Sequence, residues 1–165
     1  MMPNLQDYPN FYRWLTLPFT RKPNRVQALQ RMNRILTFAM PVIYSLVFCW
    51  LFLKKTSIGG IWPFIWIPAS GFVLFSLFRH WVNVPRPYEK WDIQPLLEKN
   101  SSGHSFPSRH VFSATIISMC VCQLSLLLGM CSMLLSLLLA FVRVLGGVHY
   151  PKDVFAAWVL GLIWG

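Results

Sequence analysis

Residues 111–142 read VFSATIISMCVCQLSLLLGMCSMLLSLLLAFV, 32 positions without one charged side chain. A helix of about 20 apolar residues crosses the ~30 Å hydrocarbon core of a bilayer, so this stretch is too long for one crossing and too apolar for an ordinary soluble fold. It predicts two helices in a tight hairpin, with Gly129 near its middle as the expected reversal and spans near 110–128 and 130–148. On its N-terminal side, Ile35–Leu53 and Ile61–Phe78 are also uncharged and of spanning length. On its C-terminal side, Pro151–Gly165 holds 15 apolar-rich residues. At 1.5 Å per residue that is about 22 Å, so this segment either stops short of the far interface or has lost its end.

The 165-residue chain is 55% hydrophobic and 12% charged. The expected fold class is therefore all-α, a multi-span transmembrane helical bundle of about five spans, with a basic amphipathic N-terminal helix. Residues 1–34 form the expected arm and 35–165 the membrane-embedded core. The arm is polar and aromatic and lacks a continuous apolar core, so no cleavable signal peptide is expected and the first span acts as its own insertion signal. Cys49, Cys120, Cys122 and Cys131 all fall inside apolar runs and read as buried packing residues rather than disulfides or ligands. Trp14, Trp50, Trp62, Trp81 and Trp91 fall at or near the expected interfaces, where amphipathic rings settle.

The net charge of +10 is uneven: six Lys/Arg precede the first span, two (Lys54 and Lys55) lie in the first hairpin, and seven follow the second span. Arg25, Arg31 and Arg34 flank an apolar line of Val26, Leu29 and Leu36. This pattern suits a basic helix lying on anionic lipid, with a solvated charged arm as the alternative. Nucleic acid is not expected as a partner.

Three polar elements sit at the ends of apolar runs. The first is Arg79-x6-Arg86-Pro87. Arg79 falls in the last turn of the second span, where the carbonyl end of a helix favours a cation. Val84 and Arg86 both precede prolines, which biases Val84–Pro87 to an extended strap. Snorkelling of both arginines to lipid phosphates is the structural alternative. The second is Phe106-Pro107-Ser108-Arg109-His110, a helix start with Ser108 as the expected N-cap and free N–H groups that attract an anion. His104, in a polar loop, competes with His110 and ranks below it; His80 reads as an ordinary interfacial residue. The third is Arg143-x5-His149-x3-Asp153. Pro151 suits the first position of a helix, which puts Asp153 in its first turn, within reach of His149. A carboxylate on one ring nitrogen leaves the other as a lone pair, the geometry of an oriented nucleophile or base, although a structural His–Asp pair closing a turn has the same spacing.

Guanidiniums at one membrane-proximal depth call for a polyanion, and phosphate matches their forked donors. A metal is not expected: Arg79, Arg86, Arg109 and Arg143 would crowd a cation, and the histidines lack the spacing of helical zinc sites.

In order and separation these elements resemble the type-2 phosphatidic acid phosphatase superfamily, whose pattern is Lys-x6-Arg-Pro, then Pro-Ser-Gly-His, then Ser-Arg-x5-His-x3-Asp. The resemblance covers about residues 79–153. It implies a metal-independent hydrolase, without cofactor, that removes a terminal phosphate from a membrane lipid phosphate or diphosphate. Substrates of the undecaprenyl diphosphate, phosphatidic acid or phosphatidylglycerol phosphate type all qualify. It further implies His149 as the nucleophile of a phosphohistidine intermediate, Asp153 as its orienting partner and His110 as the general acid. Arg79, Arg86, Ser108, Arg109 and Arg143 are implied to cradle the phosphate. Three positions depart from the pattern: Arg79 replaces lysine, Val142 replaces serine, and Arg109 replaces glycine, adding a cation that suits a diphosphate. The family usually has six spans; five are legible here. Vanadium haloperoxidases share the pattern but are soluble and larger. A non-catalytic protein that binds anionic lipid headgroups is the alternative of a different class.

The resemblance implies a multi-pass protein of the cell membrane with an extracytoplasmic site, which is the side adopted here. The positive-inside rule points the other way, because with five spans the basic arm lies on the side of the site.

Overall fold

A computed structural model describes residues 7–99 and 102–165, so the first six positions of the expected arm lie outside the described residues. The described residues form seven helices: α1 (Tyr8–Thr20), α2 (Pro23–Leu53), α3 (Ile58–Val82), the single turn α4 (Pro87–Lys90), α5 (Arg109–Leu124), α6 (Leu126–Leu145) and α7 (Pro151–Trp164). Three segments are long and apolar enough to cross a bilayer, Pro23–Leu53, Ile58–Lys90 and Leu126–Leu145, and α5 is a shorter apolar helix. The fold is an all-α membrane helical bundle.

Helix α5 is its axis. It packs on α2, α3, α6 and α7, and buried side chains lie all round it, from Val111 and Phe112 through Ile116 and Ile117 to Cys120 and Val121. A helix apolar on every face is stable only when neighbours cover every face. Small residues allow the close crossings: a Cβ at Gly161 would meet Thr115 of α5, and one at Gly71 would meet Trp164, as small-residue packing in membranes requires. The outer faces of the other helices carry exposed Ile35, Phe52, Leu77, Leu134, Phe155 and Ile163. Such an apolar exterior is soluble in hydrocarbon.

The hairpin reversal falls at Ser125, not at Gly129. Ser125 is extended (φ −156°, ψ 116°) between α5 and α6, and Gly129 lies one turn into α6, where a Cβ would collide with Cys122. The glycine serves close helix contact rather than the turn. Residue 34, the expected end of the arm, lies inside α2, which runs through it without a break. The arm's apolar line is partly used within the bundle, since Leu29 and Leu36 are buried against α6 residues such as Leu139 and Val142. The cysteines are free, but Cys49 and Cys131 are exposed on outward helix faces rather than buried; only Cys120 is fully enclosed.

Helices α2 and α5 end where α3 and α6 begin, so the turns at 54–57 and at Ser125 mark one end of the bundle. The polar connections at 83–86, 91–99, 102–108 and 146–150 gather at the other.

Candidate active site

The strap after α3 is extended as the prolines require, with Arg86 at φ −74°, ψ 161°. Glu89, third position of the α4 turn, anchors it. Its carboxylate accepts the Arg86 N–H at 2.6 Å and the Gly103 N–H at 2.8 Å. The Arg86 guanidinium donates from Nε to the Gly103 carbonyl at 3.1 Å and from its terminus to the Val148 carbonyl at 3.5 Å. Arg79, in the last turn of α3, donates to the carbonyls of Pro107 and His104. Both arginines are buried, and among the described residues their guanidiniums donate to backbone carbonyls rather than to carboxylates.

The same local device recurs at α7. Tyr150-Pro151-x-Asp153 repeats the pattern of Arg86-Pro87-x-Glu89, with the acid reaching back to the N–H that precedes proline, here at 3.0 Å. This is half of a capping box. The same oxygen of Asp153 accepts the Ser105 hydroxyl at 2.5 Å, and the Asp153 carbonyl accepts the Ser108 N–H at 3.0 Å. Asp153 is fully enclosed, and it ties the loop before α5 to the start of α7. His149 Nδ1 stands 3.6 Å from that carboxylate oxygen, with 1% of its side chain exposed. Burial disfavours the charged imidazolium and pushes His149 down to about 4, the Asp153 carboxylate opposing the shift and Arg143 and Arg86 adding to it. The ring is therefore neutral at physiological pH.

Between these elements lies a cavity of about 450 Å³. Arg79, Arg86, Arg109, His110, Arg143 and His149 line it from the three motifs. Gln30, Asn33, Arg34, Thr37 and Phe38 line it from α2, and Glu98 from the loop. Five guanidiniums thus face one carboxylate. Arg143 Nη2 lies 2.7 Å from His110 Nδ1; a guanidinium only donates, so that nitrogen carries the lone pair. The other Arg143 terminus donates to Asn33 Oδ1 at 3.4 Å. Arg109 is exposed, with its guanidinium 5.7 Å from the centre of the Phe72 ring.

Six of the eight residues singled out from sequence meet at this cavity. Asp153 stands behind His149, and Ser108 is buried at the head of α5. Ser108 occupies the N-cap position but makes no side-chain cap, and its hydroxyl finds no partner among the described residues. His104 is outside the lining; its ring nitrogen lies 3.0 Å from the Arg79 carbonyl and its ring stacks on His80 at 5.3 Å. Asn33, Arg34, Thr37, Ser105 and Glu89 escaped the sequence reading. Glu89 had a signal, an acid third after an Arg-Pro helix start; Ser105 and the α2 residues had none, since tertiary packing alone brings them here. Among the described residues no group of three or more His, Cys, Asp or Glu side chains is placed to hold a metal ion.

Comparison with known proteins agrees with this architecture. The sequence model of the PAP2 superfamily matches residues 60–165. No curated protein matches the chain in sequence. Among solved structures, LpxE of Aquifex aeolicus is similar at 22% identity and a TM-score of 0.69, covering 93% of this chain and 89% of its own. The first transmembrane PAP2-type phosphatidylglycerolphosphate phosphatase from Bacillus subtilis is similar at 20% identity and a TM-score of 0.70, covering 93% of this chain and 78% of its own.

Proposed function

The chain belongs to the PAP2 superfamily, and from that membership and the cavity we propose that it is a lipid phosphatase. It removes a terminal phosphate from a membrane lipid phosphate or diphosphate through a phosphohistidine on His149. The observation that carries this reading is the meeting of five arginines and two histidines in one cavity at the end of an apolar bundle, with a buried carboxylate behind one of the histidines. Asp153 on the Nδ1 side leaves Nε2 of His149 as the attacking lone pair. Arg79, Arg86, Arg109 and Arg143 take the phosphoryl oxygens, where preorganised donors stabilise the charge spread over the transition state. Ser108 and the Arg109 N–H complete the cradle from the start of α5. His110 gives the proton on its Nε2 to the leaving oxygen; water then attacks phosphorus and breaks the P–N bond, its proton returning to His110 as inorganic phosphate leaves and His149 is regenerated.

The substrate is a lipid because the cavity opens among helices built for hydrocarbon. Phosphatidic acid, phosphatidylglycerol phosphate and undecaprenyl diphosphate all present the required group; Arg109 in place of the family glycine favours a diphosphate by one extra cation. Release of inorganic phosphate from this panel by the purified protein in detergent tests the reading. Activity is expected to survive chelator, to be inhibited by orthovanadate and to vanish in His149→Ala. Lipid binding without hydrolysis, equal in wild type and His149→Ala, would instead establish a non-catalytic lipid-binding protein.

Helices α2, α3, α5, α6 and α7 cross the bilayer in this proposal, with the cavity on the extracytoplasmic side. Ser102→Cys, in a background without native cysteines, should react with an impermeant thiol reagent in intact cells. Reaction only after lysis would put the site in the cytoplasm, as the positive-inside rule has it.

A further inference from the structure

Two apolar recesses continue the cationic cavity toward the middle of the bundle. The first, about 400 Å³, shares Thr37, Arg109 and His110 with the cavity. The second, about 330 Å³, shares Phe72, Ser113 and Ile117 with the first. Their walls descend in step, along α2 from Thr37 through Pro41 to Tyr44 and along α5 from Arg109 through Ser113 to Ile117. The α5 wall falls by about 12 Å at 1.5 Å per residue. Helices α2 and α3 form the two sides; each leans on α5 and scarcely on the other.

One bond closes the deep end. Pro68 of α3 has no N–H, so the carbonyl of Phe64 one turn earlier loses its helical donor. The Tyr44 hydroxyl crosses from α2 and donates to that carbonyl at 2.6 Å. Where no water reaches, an unmet carbonyl is costly, so this bond pins α2 to α3.

We propose that this groove holds the apolar chain of the substrate, and that Tyr44, bonded to the Phe64 carbonyl, is the stop that sets how deep the chain reaches. The inference rests on the lipid phosphate reading of the cavity. Continuity identifies the occupant: a molecule whose phosphate sits on the arginines passes its own tail by Thr37 and Ser113 into the apolar recess.

The test compares kcat/KM on p-nitrophenyl phosphate, dioctanoyl phosphatidic acid and dioleoyl phosphatidic acid. Ser113→Phe fills the groove and should lower the dioleoyl value about tenfold relative to the p-nitrophenyl phosphate value. Tyr44→Phe removes the pin and should raise the dioleoyl-to-dioctanoyl ratio severalfold. Because an unmet Phe64 carbonyl also weakens the fold, the companion Tyr44→Phe/Pro68→Ala restores a helical donor to it. That double variant should regain thermal stability and keep the altered ratio; a ratio restored to wild type overturns the stop. Ratios unmoved in every variant, with hydrolysis of p-nitrophenyl phosphate intact, overturn the groove while leaving the cavity reading standing. A wild-type protein that hydrolyses none of the three, and neither phosphatidylglycerol phosphate nor undecaprenyl diphosphate, removes the cavity reading, and this inference with it.

Discussion

On one wall of the cavity, Arg79, Arg86 and His149 hang from helix ends and loops that are tied back by hydrogen bonds through Glu89, Ser105 and Asp153. On the other, Asn33, Arg34 and Thr37 project from the regular helix α2, and Asn33 accepts a hydrogen bond from Arg143 at 3.4 Å. The first wall spends polar contacts on fixing charges in place, which is what chemistry on a phosphoryl group needs. The second is a regular helical surface, tied to the loops by the bond from Gln30 to the Leu96 carbonyl at 2.9 Å. If that division is right, substitutions on the looped wall act on turnover and substitutions on α2 act on binding.

The largest effect should come from His149→Ala, which removes the proposed nucleophile. Turnover is expected to vanish with the bundle intact, and a phosphorylated enzyme should be trapped from wild type by quenching without acid. The same adduct at undiminished yield in the variant would sink the assignment.

His110→Ala comes next, with a loss of about 10²–10⁴-fold in rate for a general acid. His104→Ala should lose little, because that ring bonds the Arg79 carbonyl and stacks on His80 outside the cavity. Equal losses would mean that the looped wall extends its chemistry to the His104 side.

The buried His149 also makes a pH prediction. Its folded pKa, about 4, lies below the ordinary value of 6.5, so between these pH values the unfolded chain binds the extra proton and the folded one does not. Stability contributed by keeping the ring neutral is present above 6.5 and is lost as pH falls toward 4. Thermal unfolding in detergent should show the midpoint falling across that window, with a shallower slope in His149→Asn. An identical slope in both proteins would place the titrating group elsewhere.

The smallest effect belongs to α2. Asn33→Ala removes one hydrogen bond to Arg143, and KM should rise about three- to tenfold with kcat nearly unchanged. A fall in kcat instead would show that Asn33 positions Arg143 for the chemical step, and the two walls would no longer differ in kind.

The motif wall was the legible one. Prolines at 85, 87, 107 and 151 dictate extended residues before them and helix starts after them, so Arg86, His110 and Asp153 were placed from local rules alone. Gly129 misled because a glycine in an apolar run has two uses, a turn or a close crossing, and only the position of Cys122 on the facing helix distinguishes them. The α2 wall was illegible for a related reason: Asn33 and Thr37 carry no spacing signal, and Arg34 reads like its neighbours Arg25 and Arg31.

By itself the sequence determined that the chain is a bundle of apolar helices with three cationic or histidine-bearing breaks, because hydrophobic run length and proline geometry act within a few residues. The tertiary structure alone decided that those breaks share one cavity, that Ser105 bonds Asp153, and that α2 supplies the facing wall. These are contacts between residues far apart in the chain, and they exist only once the crossing of helices on α5 has fixed which side chains meet.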